Sequence, residues 1–146
     1  MKKIFSVLLL SVSIVFFSSF FTISSGSTSN YSIGMSKFKH YTVHVHSTWL
    51  SQGCTFTLTM TVEYDWNGPG TAPTNMTFSD ASITINCKVK PPTHPQVNNS
   101  RFDNETGYFT EISFNPTGDE DFDGVLQDPN FIAQVLNDIN TEIDKQ

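Results

Sequence analysis

Two histidines that follow the apolar N-terminal stretch of the chain have the spacing of metal ligands. His44 and His46 are two residues apart in a run whose polar and apolar residues alternate. Such alternation predicts a β-strand, so both imidazoles face the same side of it. A second alternating run places the carboxylate of Glu63 diagonally across from them. Two imidazoles and a carboxylate can bind Zn²⁺, and a simple polar strand surface is the alternative.

A set of acids with calcium-loop spacing occurs further along the chain. Three acids occupy the first, third and fifth positions of one short segment: Asp119, Asp121 and Asp123. Gly124 follows at the sixth position. The spacing resembles the start of an EF-hand-type loop, which implies these acids as ligands and Ca²⁺ as the candidate cofactor. The twelfth position is Asn130 instead of glutamate, so the resemblance implies an isolated loop; a solvated acidic loop before a helix is the alternative.

Four threonines alternate with apolar residues on the strand that carries Glu63. They are Thr55, Thr57, Thr59 and Thr61. A flat threonine array is similar to the ice-contacting faces of some antifreeze proteins, which implies ice binding as a minor alternative function. Those faces repeat the motif over many strands, whereas one strand carries it in full here. Threonine is also favoured on any half-exposed strand, so an ordinary polar surface is the simpler interpretation.

Four Asn-x-Ser/Thr sequons are candidate glycosylation sites. They are Asn30, Asn75, Asn98 and Asn104. In a eukaryotic secretory pathway these asparagines would be acceptors for glycans.

The sequence has no nucleophile elbow and no phosphate-binding glycine loop. We therefore predict no catalytic residues for the favoured function.

The histidines and threonines are expected on two strands joined by a tight turn. Pairing residues whose numbers sum to 105 sets apolar residues opposite apolar ones across the two runs. That register leaves Gln52 and Gly53 as a two-residue hairpin turn. It also sets His40 opposite Asp65, which predicts a cross-strand ion pair.

A third strand is predicted to pair with the second and to bring the two cysteines together. With a residue sum of 141, the predicted pairs are Phe56 with Ile85, Leu58 with Ile83, Met60 with Ala81, and Trp66 with Asn75. The same register sets Cys54 opposite Cys87, which predicts a disulfide. The apolar phase slips after Phe78, and this predicts a β-bulge near Ser79 and Asp80.

The C-terminal part predicts one more strand and a helix. The strand covers Gly107–Asn115, and the long polar segment Pro91–Thr106 before it is predicted to be a mobile or binding loop. Asp128 and Pro129 are helix-start signals, and apolar residues at helical spacing predict a helix over 129–145. The predicted fold class is α+β, a mostly antiparallel meander of about four strands with the helix on its apolar face. A small β-sandwich is the alternative.

The N-terminus has the features of a secretory signal peptide. Lys2 and Lys3 precede an apolar stretch, and small residues lead up to Gly26. We predict a signal peptide over 1–26, a flexible segment over 27–36 and a single domain over 37–146. An uncleaved membrane anchor is the alternative for the first segment. The expected location is therefore secreted or cell-surface, with membrane contact only if the segment is retained.

The distribution of charge narrows the function. The 146 residues carry a net charge of −6, and residues 27–146 hold 6 basic and 14 acidic groups, a net of −8. Residues 103–146 alone hold 11 acids and one lysine. This acidity argues against nucleic-acid binding. The favoured function is a secreted, non-enzymatic binding or adhesion module for an unknown extracellular ligand or protein, stabilised by calcium; the alternative is a small secreted zinc-dependent hydrolase.

Overall fold

A computed structural model describes residues 38–146 of the chain. The signal peptide predicted over 1–26, the segment 27–36 and the sequon at Asn30 lie outside the described residues. Within residues 38–146, five strands and two helices follow in this order: β1 (Lys39–Ser51), β2 (Cys54–Trp66), β3 (Thr74–Ile85), β4 (Val97–Asp103), β5 (Tyr108–Phe114), α1 (Glu120–Leu126) and α2 (Pro129–Ile143). The α+β class is confirmed.

Strands β1 and β2 form the predicted hairpin. They pair without interruption from Lys39 opposite Trp66 to Ser51 opposite Cys54, which is the predicted register. The turn residues Gln52 and Gly53 have φ angles of 51° and 77°. Two consecutive positive φ angles give the turn a twist that matches the twist of the strands, so the local sequence determines this hairpin.

Strand β3 pairs with β2 and contains two bulges. From Ile85 to Ser82 the register is the predicted one, but Asp80 and Ala81 then both lie opposite Met60, so a bulge replaces the one-to-one pairing predicted for Met60 and Ala81. The extra residue is near Asp80, whose φ is 52°, and this confirms the predicted bulge. A second shift follows near Asn75, and because Asp65 pairs with Thr74 there, the predicted pairing of Trp66 with Asn75 is wrong.

The segment predicted to be a loop contains a strand. Within Pro91–Thr106, residues Val97–Asp103 form β4, which pairs antiparallel with β5 as a separate two-stranded sheet. Thr93 also forms an isolated bridge with Ile83 of β3. The prediction of one mobile or binding loop is therefore wrong. It failed because β4 has few apolar residues and no clear alternation, so it gives no strand signal of its own.

One face of the β1–β2–β3 sheet, called the inner face here, is covered. Helix α2 packs against β1 and β5, and the β4–β5 hairpin adds aromatic contacts, with Phe102 and Phe109 both edge-on to Tyr64. The buried apolar residues of the sheet include Val43, Leu58, Val62, Tyr64 and Ile83, and those of α2 are Phe131, Val135 and Ile139. The outer face of the sheet is the polar one and has no covering layer among the described residues.

Helix α2 begins as the sequence predicts. Asp128 is its N-cap and accepts a hydrogen bond from the amide of Asn130, with Pro129 at the first helical position. The helix ends at Ile143, two residues before the predicted end. Its Asn140 side chain donates to the carbonyl of Phe109 and accepts from the Phe109 amide, at 3.0 and 2.9 Å. The helix is thereby fixed to the free edge of β5.

Candidate functional site

The predicted calcium loop is a helix. Asp119 is the N-cap of α1, and its carboxylate accepts a hydrogen bond from the amide of Asp121 at 3.0 Å. A capping aspartate followed by acids in the first turn favours helix initiation. The loop conformation on which the calcium prediction depended is therefore wrong for this segment.

Lysine side chains neutralise two of the three predicted calcium ligands. The Lys90 ammonium is 2.8 Å from Asp119 and 2.5 Å from Asp121, and Lys88 is 2.6 Å from Asp121. The hydrogen bond from Lys90 lowers the pKa of Asp119, and hydrogen bonds from Lys88 and then Lys90 lower the pKa of Asp121. A cation of the protein itself thus lies between the two carboxylates.

The third predicted ligand, Asp123, has a structural role. Its carboxylate accepts hydrogen bonds from the amide and hydroxyl of Thr117, at 2.6 and 2.7 Å, and from the amide of Gly118 at 3.1 Å. These donors, first the Thr117 amide, hold its pKa below the usual range. Asp123 fixes the chain that enters α1, so the three acids do not converge on one point.

The two predicted zinc-ligand histidines lie side by side on the outer face. His44 is opposite Thr61, with Nδ1 and Oγ1 3.3 Å apart, and His46 is opposite Thr59. Glu63 is opposite Thr42, two residues along each strand from the pair of His44 and Thr61. Within residues 38–146, no group of three or more His, Cys, Asp or Glu side chains is arranged to hold a metal ion.

The acid that shares a surface depression with the histidines is Asp80. The depression is shallow and is lined by these residues: His44, Val45, His46, Thr59, Met60, Thr61 and Asp80. Asp80 reaches this position because it is the bulge residue of β3, with a φ of 52°. The sequence predicted the bulge but did not show that it lies beside the histidines, since that depends on the pairing of all three strands.

Hydroxyl and imidazole groups form rows across the outer face. The rows run from β1 through β2 to β3 as follows: Thr48, Thr57 and Thr84; His46, Thr59 and Ser82; His44, Thr61 and Ser79; Thr42, Glu63 and Thr77. The threonine array predicted on one strand is thus flanked by hydroxyl groups on β3 and by Thr48 and the two imidazoles on β1. Ice binding by this array stays a prediction.

A charged cluster closes one end of the outer face. His40 lies 2.7 Å from Asp65 across the strand pair, which confirms the predicted pair. Asn75 donates a second hydrogen bond to the same carboxylate at 2.7 Å. These bonds, first that from Asn75 and then that from His40, lower the pKa of Asp65. Asn75 is also the residue at the second β3 bulge, so the cluster fixes the end of the sheet.

The three described sequons lie in different environments. The side-chain nitrogen of Asn75, where a glycan would be attached, is the atom that donates to Asp65. Asn98 is exposed on β4. Asn104 is in the β4–β5 turn, and its carbonyl accepts a hydrogen bond from the amide of Gly70 at 3.0 Å. Asn75 and Asn98 are both exposed and Asn104 is partly buried; glycosylation stays a prediction.

A second concavity lies at the outer edge of β3 and was not predicted. It is lined by residues on both sides of the first bulge and by the chain before β4, among them Phe78, Asp80, His94 and Val97. His94 faces the carbonyl of Ala81 at 3.0 Å through Nδ1. Asp80 therefore lines both this groove and the depression on the outer face, which makes it the residue common to the two candidate binding surfaces.

The disulfide is formed as the predicted pairing of β2 with β3 requires. Cys54 and Cys87 are bonded, with their Cα atoms 5.1 Å apart. Among the described residues, no helix is long and apolar enough to cross a membrane. The disulfide is compatible with an extracellular protein.

Comparisons with known proteins add no assignment. Searches against protein-family models, curated proteins and solved structures found no match to this chain. The functional argument therefore rests on the geometry of the outer face and of the elements that hold it.

Proposed function

We propose that this protein is an exported, non-enzymatic binding module and that the outer face of the β1–β2–β3 sheet is its ligand-binding surface. One observation carries the proposal: the inner face is buried under α2 and the β4–β5 hairpin, whereas the outer face presents ordered rows of hydroxyl and imidazole groups around the His44–His46–Asp80 depression. A rigid scaffold with one bare, regular polar face has the organisation of a recognition surface.

Export is supported by two independent features. The N-terminal sequence has the composition of a secretory signal, and the chain's two cysteines form a disulfide, a bond that persists in oxidising compartments outside the cytosol. A ligand of such a protein would be met at the cell surface or in the surrounding medium.

The chemistry of the depression favours a polyhydroxylated ligand such as a glycan. Threonine hydroxyls donate and accept hydrogen bonds, neutral imidazoles do the same through their two nitrogens, and the Asp80 carboxylate accepts two or more. Sugar hydroxyl groups present the same mixture of donors and acceptors. Both histidines are exposed, so the depression does not shield its ligand from bulk solvent as many catalytic sites do, and binding is the simpler activity.

Chemical-shift mapping with oligosaccharides is the test. We expect backbone amide signals of His44, His46, Thr59, Thr61 and Asp80 to move together as a polysaccharide-derived oligosaccharide panel is titrated into the labelled protein. Thr59→Val and Asp80→Asn should each weaken binding by about threefold to tenfold, because valine has no hydroxyl and asparagine replaces a charged acceptor oxygen with a donor.

The matched control is Thr110→Val, which makes the same substitution on β5, away from the outer face. It should bind as the wild type does. Shifts that cluster instead at His94 and Val97 would move the binding surface to the groove beside β3. Binding that is indifferent to Thr59 and Asp80 would rule out the outer face.

A further inference from the structure

The free edge of β1 is unusually open for an edge strand. β1 is 13 residues long, and it pairs with β2 without a bulge. It contains no proline, and no residue from 40 to 51 is an acid, a lysine or an arginine. Natural sheets usually protect such an edge with a charge, a proline, a bulge or a covering segment, because unpaired backbone groups accept another strand.

The opposite edge of the same sheet is protected in several of these ways. β3 has bulges at Asp80 and Asn75, and the bridge between Ile83 and Thr93 occupies part of its edge with hydrogen bonds of 2.8 and 3.0 Å. The β3 edge is thus protected against pairing with another strand, whereas the β1 edge is not.

The direction of the free backbone groups follows from the pairing. In an antiparallel pair, alternate residues point both backbone groups at the partner and the residues between them point away. The Thr42 carbonyl accepts a hydrogen bond from the side chain of Gln146, which is not part of the sheet, so even-numbered residues of β1 point away from β2. Four of them follow Thr42: His44, His46, Thr48 and Leu50. Among the described residues, none of their backbone groups has a hydrogen-bond partner on this edge.

We propose that this edge pairs with the same edge of a second copy of the chain, so that two three-stranded sheets become one six-stranded sheet around a two-fold axis. The register follows from the structure. Gln146 occupies the edge at Thr42, and the turn begins after Ser51, so the available stretch is His44–Leu50. Its antiparallel pairing with itself sets His44 opposite Leu50 and His46 opposite Thr48 of the second copy.

A second copy fits this edge better than a disordered peptide does. Both β1 strands are already ordered by β2, so pairing adds about eight backbone hydrogen bonds without the ordering cost of a flexible segment. No like charges face each other in this register. Leu50, which is 71% exposed at the end of the edge, becomes covered. Two-fold pairing also closes the assembly and uses up the edge.

The dimer would double the outer face of the sheet. The rows through His44 and His46 would continue into those of the second copy, and this would place two depressions on one surface. A ligand with repeated units could then contact both, which raises its apparent affinity. The dimerisation itself does not depend on whether that ligand binds.

The test is sedimentation of the purified protein over a concentration range. We expect the weight-average mass to rise from one chain toward two between about 10 and 500 µM. Because residues 38–146 carry 5 basic and 14 acidic groups, added salt should strengthen association by screening the repulsion between copies.

Three variants at two neighbouring positions locate the interface. Thr48 and Thr57 are neighbours on the outer face, but only Thr48 is on the edge strand. Thr48→Lys should weaken association at least about tenfold, whereas Thr57→Lys adds the same charge on the central strand and should leave it within about twofold. Thr48→Pro removes the outward amide without adding charge and should act like Thr48→Lys; circular dichroism confirms that each variant is folded.

Three results would overturn the proposal. The first is a monomer at every concentration. The second is association that Thr48→Lys and Thr57→Lys weaken equally. The third is slow hydrogen exchange of the Thr48 amide at concentrations where the protein is monomeric, because another part of the same chain would then cover the edge.

Discussion

Gly107 lies flat against the indole ring of Trp66. A β-carbon at Gly107 would be 2.5 Å from Cη2 and 2.6 Å from Cζ3 of that ring, and the φ of Gly107 is 79°. The contact joins the β4–β5 turn to the end of β2. The Trp66 indole nitrogen donates to the carbonyl of Thr71 at 2.9 Å, so one side chain holds both the β2–β3 loop and the hairpin turn.

Gly107→Ala should therefore be one of the most destabilising single-methyl additions in the protein. The added carbon meets the Trp66 ring, and the left-handed backbone conformation disfavours any β-carbon. We expect a loss of about 3 kcal/mol or more in the free energy of unfolding measured with urea.

Gly53→Ala is the control for the backbone conformation alone. Gly53 has nearly the same φ, 77°, but nothing within 4 Å of the position of a β-carbon. It should lose about 1–2 kcal/mol. Equal losses in the two variants would mean that the hairpin turn moves away from Trp66 at little cost.

The link between α2 and β5 depends on Asn140. Its amide group satisfies both backbone groups of Phe109, at 2.9 and 3.0 Å, as a neighbouring strand would. Asn140→Ala leaves a partly buried donor and acceptor unpaired, and we expect a loss of about 2 kcal/mol in the free energy of unfolding. Asn137→Ala is the control, since Asn137 is exposed on the same helix and should change stability by less than about 0.5 kcal/mol. A similar loss in both variants would assign the effect to helix propensity.

The features that local sequence determines were predictable. The β1–β2 register follows from two alternating runs and a turn with glycine at Gly53, and the disulfide follows from continuing that argument to β3. The N-cap at Asp128 is also a local signal. For the hairpin and the N-cap, neighbouring residues contain the whole pattern, and for the disulfide the pairing of two strands that are consecutive in the chain was sufficient.

The features that depend on packing between distant segments were not predictable. Asp119 and Asp121 have calcium-loop spacing, and only the docking of α1 beside Lys88 and Lys90 shows that these lysines neutralise them. Val97 and Phe102 are the only apolar residues of strand β4, so the strand depends on its pairing with β5 and on the aromatic contacts of Phe102. Asp80 joins the histidine depression because of a bulge whose position was predicted and whose neighbours were not.

Acid should destabilise the protein through the carboxylates around α1. The hydrogen bonds of Asp119, Asp121 and Asp123 lower their pKa values in the folded state. The unfolded chain therefore binds protons first, near the ordinary aspartate pKa of about 3.9. The stability that these groups contribute is fully present above that pH and is lost as the pH falls through the lower folded-state values.

Urea unfolding between neutral pH and about pH 3 measures this effect. In Asp123→Asn the free energy of unfolding should fall less steeply as the pH is lowered, because the substituted side chain no longer titrates. Glu120→Gln, a change at an exposed acid of the same helix, should leave the pH dependence of the free energy of unfolding as it is in the wild type. If Glu120→Gln reduces this pH dependence as much as Asp123→Asn does, general charge repulsion among the acids of residues 103–146 explains the acid sensitivity better than these hydrogen bonds do.

Reduction of the disulfide should loosen one end of the sheet before it unfolds the whole. Cys54 and Cys87 close a loop with a sequence separation of 33, and in the chain-entropy account this is worth about 3–4 kcal/mol. The bond ties the start of β2 to the segment that carries Lys88 and Lys90. That segment is also held by the ion pairs of its lysines to α1, by hydrogen bonds between Asn86 and Thr55, and by the bridge between Thr93 and Ile83. We expect Cys54→Ala with Cys87→Ala to lower the free energy of unfolding by about this amount and to speed hydrogen exchange in residues 86–93 more than in β1.

A reductant should lower the melting temperature of the wild type to that of the double variant and leave the variant unchanged. If the melting temperature of the wild type stays constant although thiol titration shows both cysteines free, the hydrogen bonds of Asn86 and Thr93 and the lysine ion pairs hold this end without the disulfide.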